Sequence, residues 1–164
     1  MIPVRIAGLA LDVKQQPVVI LKPLDEEPGQ GSMLPIWIGG LEAAAILAGA
    51  DGKTAPRPLT LDLMRAMLES LDAEVERIAV TKLENGTFFA EIRLSTPAGE
   101  RVLDARPSDA IGLSLRTGSV IWVADEVLEQ AGVPDEREGD ADEEAEVAAF
   151  SEFLDQVDPE DFQG

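Results

Sequence analysis

Apolar and polar positions along the chain change rhythm several times, and those changes mark out the elements. "PVRIAGLALDV" and "PVVILKPL" are β-rich runs on either side of "KQQ", which predicts a hairpin. "DEEPGQGS" is a loop by composition. Its Gly29-Gln30-Gly31 lacks the third glycine of a dinucleotide fingerprint, and a strand rather than a helix follows it. "MLPIWIG" reads as a buried strand, with Trp37 inside its apolar pattern and so expected in the core rather than as a stacking platform. After Gly39-Gly40, "LEAAAILAGA" predicts a short alanine-rich helix closed at "DG".

The polar loop "DGKTAP" then leads into "RPLTLDLMRAML". Here Thr60 is the natural N-cap, and Leu61, Met64, Met67, Leu68 and Leu71 recur at helical spacing. "AEVERIAVTKLE" and "TFFAEIRLST" flank Asn85-Gly86, a strong hairpin signal because both residues tolerate positive φ. "PAGE" turns the chain into "RVLDAR", giving a three-stranded meander. Ser108 is the expected cap of a helix that Gly118 stops. "VIWV", with Trp122 expected in the core, is a last strand, and "DEVLEQAG" a short helix capped by Asp125 and ended by Gly132. The sum is an α+β fold: a mainly antiparallel sheet of about seven strands with short helices inserted, in a single compact domain.

Beyond Gly132 the rhythm stops. "VPDEREGDADEEAE" has the composition of a disordered linker, which sets the expected boundary at residues 1–132 against 133–164. The tail then offers "VAAFSEFLDQV", where Phe150, Phe153, Leu154 and Val157 share one helical face and suit a docking surface on the core or on a protein partner.

Charge sharpens this division. Of the formal net charge of −19, residues 133–164 carry −12 and residues 1–132 carry −7. The acidity belongs mostly to the tail, yet the core is not basic either, which argues against tight nucleic-acid binding by bulk charge. The chain has neither cysteine nor histidine. Disulfides, thiolate metal sites and imidazole chemistry are therefore excluded, and a metal would need oxygen ligands, which favours Mg²⁺, Mn²⁺ or Ca²⁺ over Zn²⁺. The N-terminal run is broken by Asp12 and lacks a basic lead, and no apolar stretch is long enough to span a bilayer, so a cytoplasmic protein is expected.

Candidate chemistry centres on two related phrases, "RPLTLDLMRAML" and "LDARPSDAIGLSLRTG". Each runs from Arg-Pro through Thr or Ser and Asp into an apolar helix. One reading is structural: two well-capped helices whose first-turn aspartates suit the helix dipole and pair with arginine. The functional reading gathers both helix starts in one cleft. Arg57 and Arg106, with Thr60 and Ser108, would bind phosphate there, because helix-end amides attract anions and Arg forks match phosphate oxygens. Asp62 and Asp109 would hold a divalent cation that activates an attacking water. Glu42, at the start of the helix after Gly39-Gly40, is a third candidate carboxylate.

The ordered set "LPIWIGGLEAAAI", "RPLTLDLMRAML", the Asn-Gly hairpin, "LDARPSDAIGLSLRTG" and "VIWVADEVLEQAG" resembles the bifunctional nuclease (BFN) domain family over about residues 1–132. The acidic tail ending "FSEFLDQVDPEDF" is similar to that of actinobacterial members. The resemblance implies a compact α+β domain, often self-associating, with DNase and RNase activity and a divalent metal, for which the carboxylate set above favours Mg²⁺. Its matching positions are Glu42, Arg57, Pro58, Thr60, Asp62, Arg106, Pro107, Ser108 and Asp109. Leu61 stands where many members carry histidine. A non-enzymatic ligand-binding or regulatory module is the competing function, favoured by the acidic core and by that missing histidine.

Overall fold

The computed structural model describes residues 1–52 and 55–136. The tail segment read as an amphipathic helix lies outside the described residues. Eight strands form one sheet: β1 (Ile2–Leu11), β2 (Pro17–Pro23), β3 (Ser32–Trp37), β4 (Glu74–Glu84), β5 (Thr87–Ser95), β6 (Arg101–Ala105), β7 (Ile121–Val123) and β8 (Val133–Pro134). Their spatial order is β6-β5-β4-β7-β1-β2-β3-β8. Every neighbouring pair is antiparallel except β4 and β7, which run parallel. Four helices, α1 (Gly40–Ala50), α2 (Thr60–Ser70), α3 (Pro107–Thr117) and α4 (Asp125–Ala131), fill the connections. The expected α+β class is what the chain adopts.

The strand alternation has a physical consequence at β1. Its register shifts between Ile6 and Gly8, a bulge that inserts one residue. Val4 and Leu9 therefore face the same core although their odd spacing would place them on opposite faces of a regular strand. Ala7 turns instead to the other face, where it packs with Val18 and Ile20 of β2. β2 is buried along its whole length, since its alternate residues serve two clusters.

All four helices contribute to the main core, through Ala43 and Ile46, Leu61, Ala110, Ile111 and Leu113, and Val127. α3 lies between α1 and α2 and over β4 and β5, so it is buried through most of its first two turns. Small residues permit this. A Cβ at Gly112 would stand 2.5 Å from Leu61 Cδ1 of α2, and one at Gly49 of α1 would stand 2.4 Å from Arg116 Nη1.

Three details correct the expectations. The helix caps fall before the Ser, Thr and Asp that were expected to provide them: Leu59 caps α2, Arg106 caps α3 and Ala124 caps α4. At α3 the reason is Pro107, whose fixed φ and missing N–H suit the first helical position, leaving Arg106 as cap. Second, the sheet does not stop at Gly132. Val133 and Pro134 pair with Met33 and Ser32, and the next residue, Asp135, is buried in an ion pair 2.8 Å from Lys22 Nζ. Third, Trp37 is 55% exposed and is not a core residue, while Trp122 is half-buried. The Asn-Gly turn is as expected, with Asn85 at φ 51° and Gly86 at φ 78°.

Candidate active site

α1, α2 and α3 each carry an acid at the third helical position: Glu42, Asp62 and Asp109. Each sits where the helix dipole favours negative charge. What differs is the company each keeps.

At the start of α3, Arg106 holds Asp109 in a two-point fork, with Nε 2.7 Å from Oδ2 and Nη2 3.0 Å from Oδ1. Its Nη1 donates to Glu42 Oε1 of α1 at 3.0 Å. Asp109 first, then Glu42, hold the guanidinium protonated well above its ordinary value. The starts of α1 and α3 thus meet, and they open into a cleft of about 500 Å³. Glycine at the α1 cap has a local cause: a Cβ at Gly39 would stand 2.1 Å from Glu42 Oε2, so the carboxylate folds back over bare backbone. Ser108 also lines the cleft, only 8% exposed, and its hydroxyl makes no hydrogen bond with another described residue.

Asp62 lies elsewhere. Its Oδ2 accepts the Leu59 amide at 3.0 Å, the helix-capping arrangement, and its Oδ1 accepts Arg116 Nε at 3.2 Å. The Leu59 amide, then Arg116, hold its carboxyl below the usual range. Arg116 is in the last turn of α3 and also donates to Gly112 O at 2.9 Å. It is two helical turns from Asp109, about 10 Å along the axis. The two Arg-Pro helix starts therefore do not share a cleft. Arg57 and Thr60, on the α2 side, are exposed, and Arg57 makes no ion pair with another described residue. Of the sequence-predicted set, the fold brings together Glu42, Arg106, Ser108 and Asp109, and leaves Arg57, Thr60 and Asp62 apart.

With that geometry in view, the profile of the family described as "Bifunctional nuclease domain" matches residues 19–136. The chain belongs to the bifunctional nuclease domain family. The matched stretch takes in β8 and Asp135, in step with the sheet rather than with the boundary expected at Gly132. An uncharacterised protein of Mycobacterium tuberculosis is 40% identical over 166 residues, covering 98% of this chain and 97% of its own length. Bifunctional nuclease 1 of Arabidopsis thaliana is 32% identical over 108 residues, 64% of this chain and 32% of the plant protein. Bifunctional nuclease 2 of the same plant is 30% identical over 97 residues, 57% of this chain and 29% of its own.

A divalent metal held by Asp62 and Asp109 does not fit this member of the bifunctional nuclease domain family. The two carboxylates point to different arginines at opposite ends of α3. Among the described residues no group of three or more His, Cys, Asp or Glu side chains is placed to hold a metal ion. Glu42 and Asp109 do converge, but on a guanidinium, so Arg106 supplies the positive charge. Nor does position 61 face the cleft: Leu61 is 7% exposed and packs on Gly112 of α3.

One residue of consequence escaped sequence reasoning, Arg116, and one, Trp37, was assigned to the core instead of the cleft. Arg116 joins the three helices, and the available signal was its place in the last turn, where a cation suits the dipole. Trp37 borders the cleft, its indole N–H donating to Asp12 Oδ2 at 3.0 Å. The signal there was the neighbouring Gly-Gly, which ends the strand immediately beyond it. No helix among the described residues is long and apolar enough to cross a membrane.

Proposed function

We propose that this chain binds and hydrolyses nucleic-acid phosphodiesters at the cleft where α1 and α3 begin. The observation that supports this best is the meeting of two helix N-termini around Arg106, in a family whose plant relatives are named as bifunctional nucleases. The free amides of Ser108 and Asp109 and the Ser108 hydroxyl would receive the non-bridging phosphate oxygens. Arg106 would stabilise charge as water adds to phosphorus and the ester P–O bond breaks. It stays protonated and cannot act as the acid, so the leaving oxygen takes its proton from solvent. Glu42 would accept the proton of the attacking water, as the carboxylate that lines the cleft.

The competing reading is binding without turnover. It rests on Arg106, whose charge is already shared by two carboxylates, and on the acidic balance of the core. Cleavage of labelled DNA and RNA by rigorously purified protein, with and without Mg²⁺, separates the two. Arg106→Ala should lower cleavage by about a hundredfold, the scale of losing one stabilising donor. Asp62→Asn, prepared identically, should cleave as the parent does. Equal cleavage by Arg106→Ala and the parent would remove the activity from this cleft. Retained binding with no product from the parent would favour the binding module.

A further inference from the structure

The cleft has an aromatic wall that phosphate chemistry does not use. Trp37 closes β3 and is 55% exposed, with its indole N–H engaged by a neighbouring carboxylate. Its indole nitrogen is held by Asp12, whose other oxygen accepts the amides of Lys14 and Gln16 at 2.8 and 2.9 Å. An exposed indole that lines a cleft and is hydrogen-bonded at its nitrogen presents a flat apolar surface to a ligand. Beside it the side chains of Gln15 and Gln16 offer neutral donors and acceptors. The α3 start lines the same cleft with the Ser108 hydroxyl, which is mostly buried and makes no hydrogen bond with another described residue. A hydroxyl that lines the cleft and is not used by neighbouring described residues can donate to a ligand oxygen there. Gly40 adds room, since a Cβ there would meet no atom of the described residues within 4 Å.

We propose that this cleft takes an unpaired nucleotide of single-stranded nucleic acid, its base stacked on Trp37 and its phosphate at Ser108 and the α3 amides. The inference rests on the nucleic-acid reading above and specifies its substrate class. Stacking needs a base face free of its neighbours, which a single strand offers and a duplex does not. It also answers the charge problem. Residues 1–132 carry a net −7, so affinity cannot come from many phosphate contacts. One phosphate and one stacked base give binding with little salt dependence, a slope of about −0.7 in log K against log salt.

The test uses the full chain carrying Trp122→Phe, so that Trp37 is its one indole. A short phosphorothioate-linked single strand is titrated against it, with the matching duplex and inorganic phosphate as comparisons. Expected are quenching of Trp37 by the single strand, at least tenfold weaker binding of the duplex, and a shallow salt slope. Trp37→Ala, followed by anisotropy of a labelled strand, should weaken binding about fivefold or more, the low end of one lost stack. Ser108→Ala should also weaken it while melting no lower than the parent, because the hydroxyl has no hydrogen-bond partner among the described residues to lose. Equal binding of duplex and single strand, or unchanged affinity in Trp37→Ala, overturns the inference, as does failure of the parent to bind the strand. Those results leave a phosphodiesterase at Arg106 standing if the parent cleaves. Conversely, stacking on Trp37 together with undiminished cleavage by Arg106→Ala keeps the stacking site and removes the hydrolytic assignment.

Discussion

The two ends of α3 present the same chemistry in opposite settings. At its start Arg106 grips Asp109 and Glu42 with its side chain 64% exposed. At its finish Arg116 grips Asp62 and Gly112 O with its side chain 7% exposed. Both arginines reach a first-turn acid, and in both cases a second helix is tied to α3. The difference is what else can reach the guanidinium. Around Arg116 the space is filled by α1 backbone at Gly49 and by the α2 start, so a ligand has nowhere to enter. Around Arg106 a cleft stays open. Burial, rather than the identity of the paired residues, separates a structural clamp from a candidate site.

The contrast between enclosed and open pairs is tested most severely at Lys22. Its side chain is fully buried, as is that of Asp135, and its ammonium also lies 3.7 Å from Glu26. It further donates to the Gln30 carbonyl. Lys22→Ala would take the Lys22 ion pair from the buried Asp135 carboxylate, while the hydrogen bond from the Gly29 amide remains. A loss of about 3–5 kcal/mol is expected in urea unfolding, the scale of breaking a buried pair from one side. A loss under about 1 kcal/mol would mean that the Lys22 ammonium is not what holds β8 in place.

Arg116→Ala comes next, with a loss of about 2 kcal/mol from two charge-assisted hydrogen bonds at a mostly buried position. Asp62 keeps the Leu59 amide in this variant, which limits the damage. Nucleic-acid cleavage and binding, measured well below the melting point, should be unchanged. A variant that is stable but inactive would carry the functional region to the far end of α3.

These pairs also show where sequence reading ends. The hairpin at Asn85-Gly86, the strand runs and the stop at Gly118 are local, decided by φ preferences and period-two burial within a few residues. The first-turn acids were equally visible, because the dipole rule acts within one turn. Which acid meets which arginine depends instead on how α1 and α2 cross α3, and that turns on small residues such as Gly112 and Gly49. Two similar Arg-Pro phrases suggested one shared cleft, and packing sent their helices to opposite ends of α3. β8 was hidden for a related reason. Its two residues open an acidic run, and what fixes them is a lysine more than a hundred positions earlier. Trp37 failed in the other direction, since an apolar strand pattern cannot show that its last residue lies beside an open turn.

Acid separates the two ends more gently. The Asp62 carboxyl is lowered in the folded chain, by the Leu59 amide first and Arg116 second. A lowered carboxyl contributes stability that is present above the unfolded value, about 3.9, and is lost as pH falls through the folded value. Asp62→Asn removes that contribution. The melting temperatures of parent and variant should therefore differ most above about pH 5 and converge toward acid. A difference that persists unchanged into acid would show that the asparagine perturbs packing rather than charge.

Arg106→Ala should have the smallest effect on stability, within about 1 kcal/mol, although its hydrogen bonds are as short as those of Arg116. Water already solvates most of the guanidinium, so each bond lost to the protein is largely recovered from solvent. The acids left behind are not stranded either. Glu42 and Asp109 each remain in the first turn of their own helix, where the dipole favours them without any arginine. Their mutual repulsion, no longer bridged, is screened by salt, so the residual destabilisation should shrink as ionic strength rises. Urea unfolding of Arg106→Ala beside Arg116→Ala, at low and high salt, reads the comparison directly. A small, salt-sensitive loss at 106 against a larger, salt-insensitive one at 116 would mark the open end as a place where an arginine is kept for something other than stability. Equal losses would make both ends clamps and take away the physical ground for a site at the start of α3.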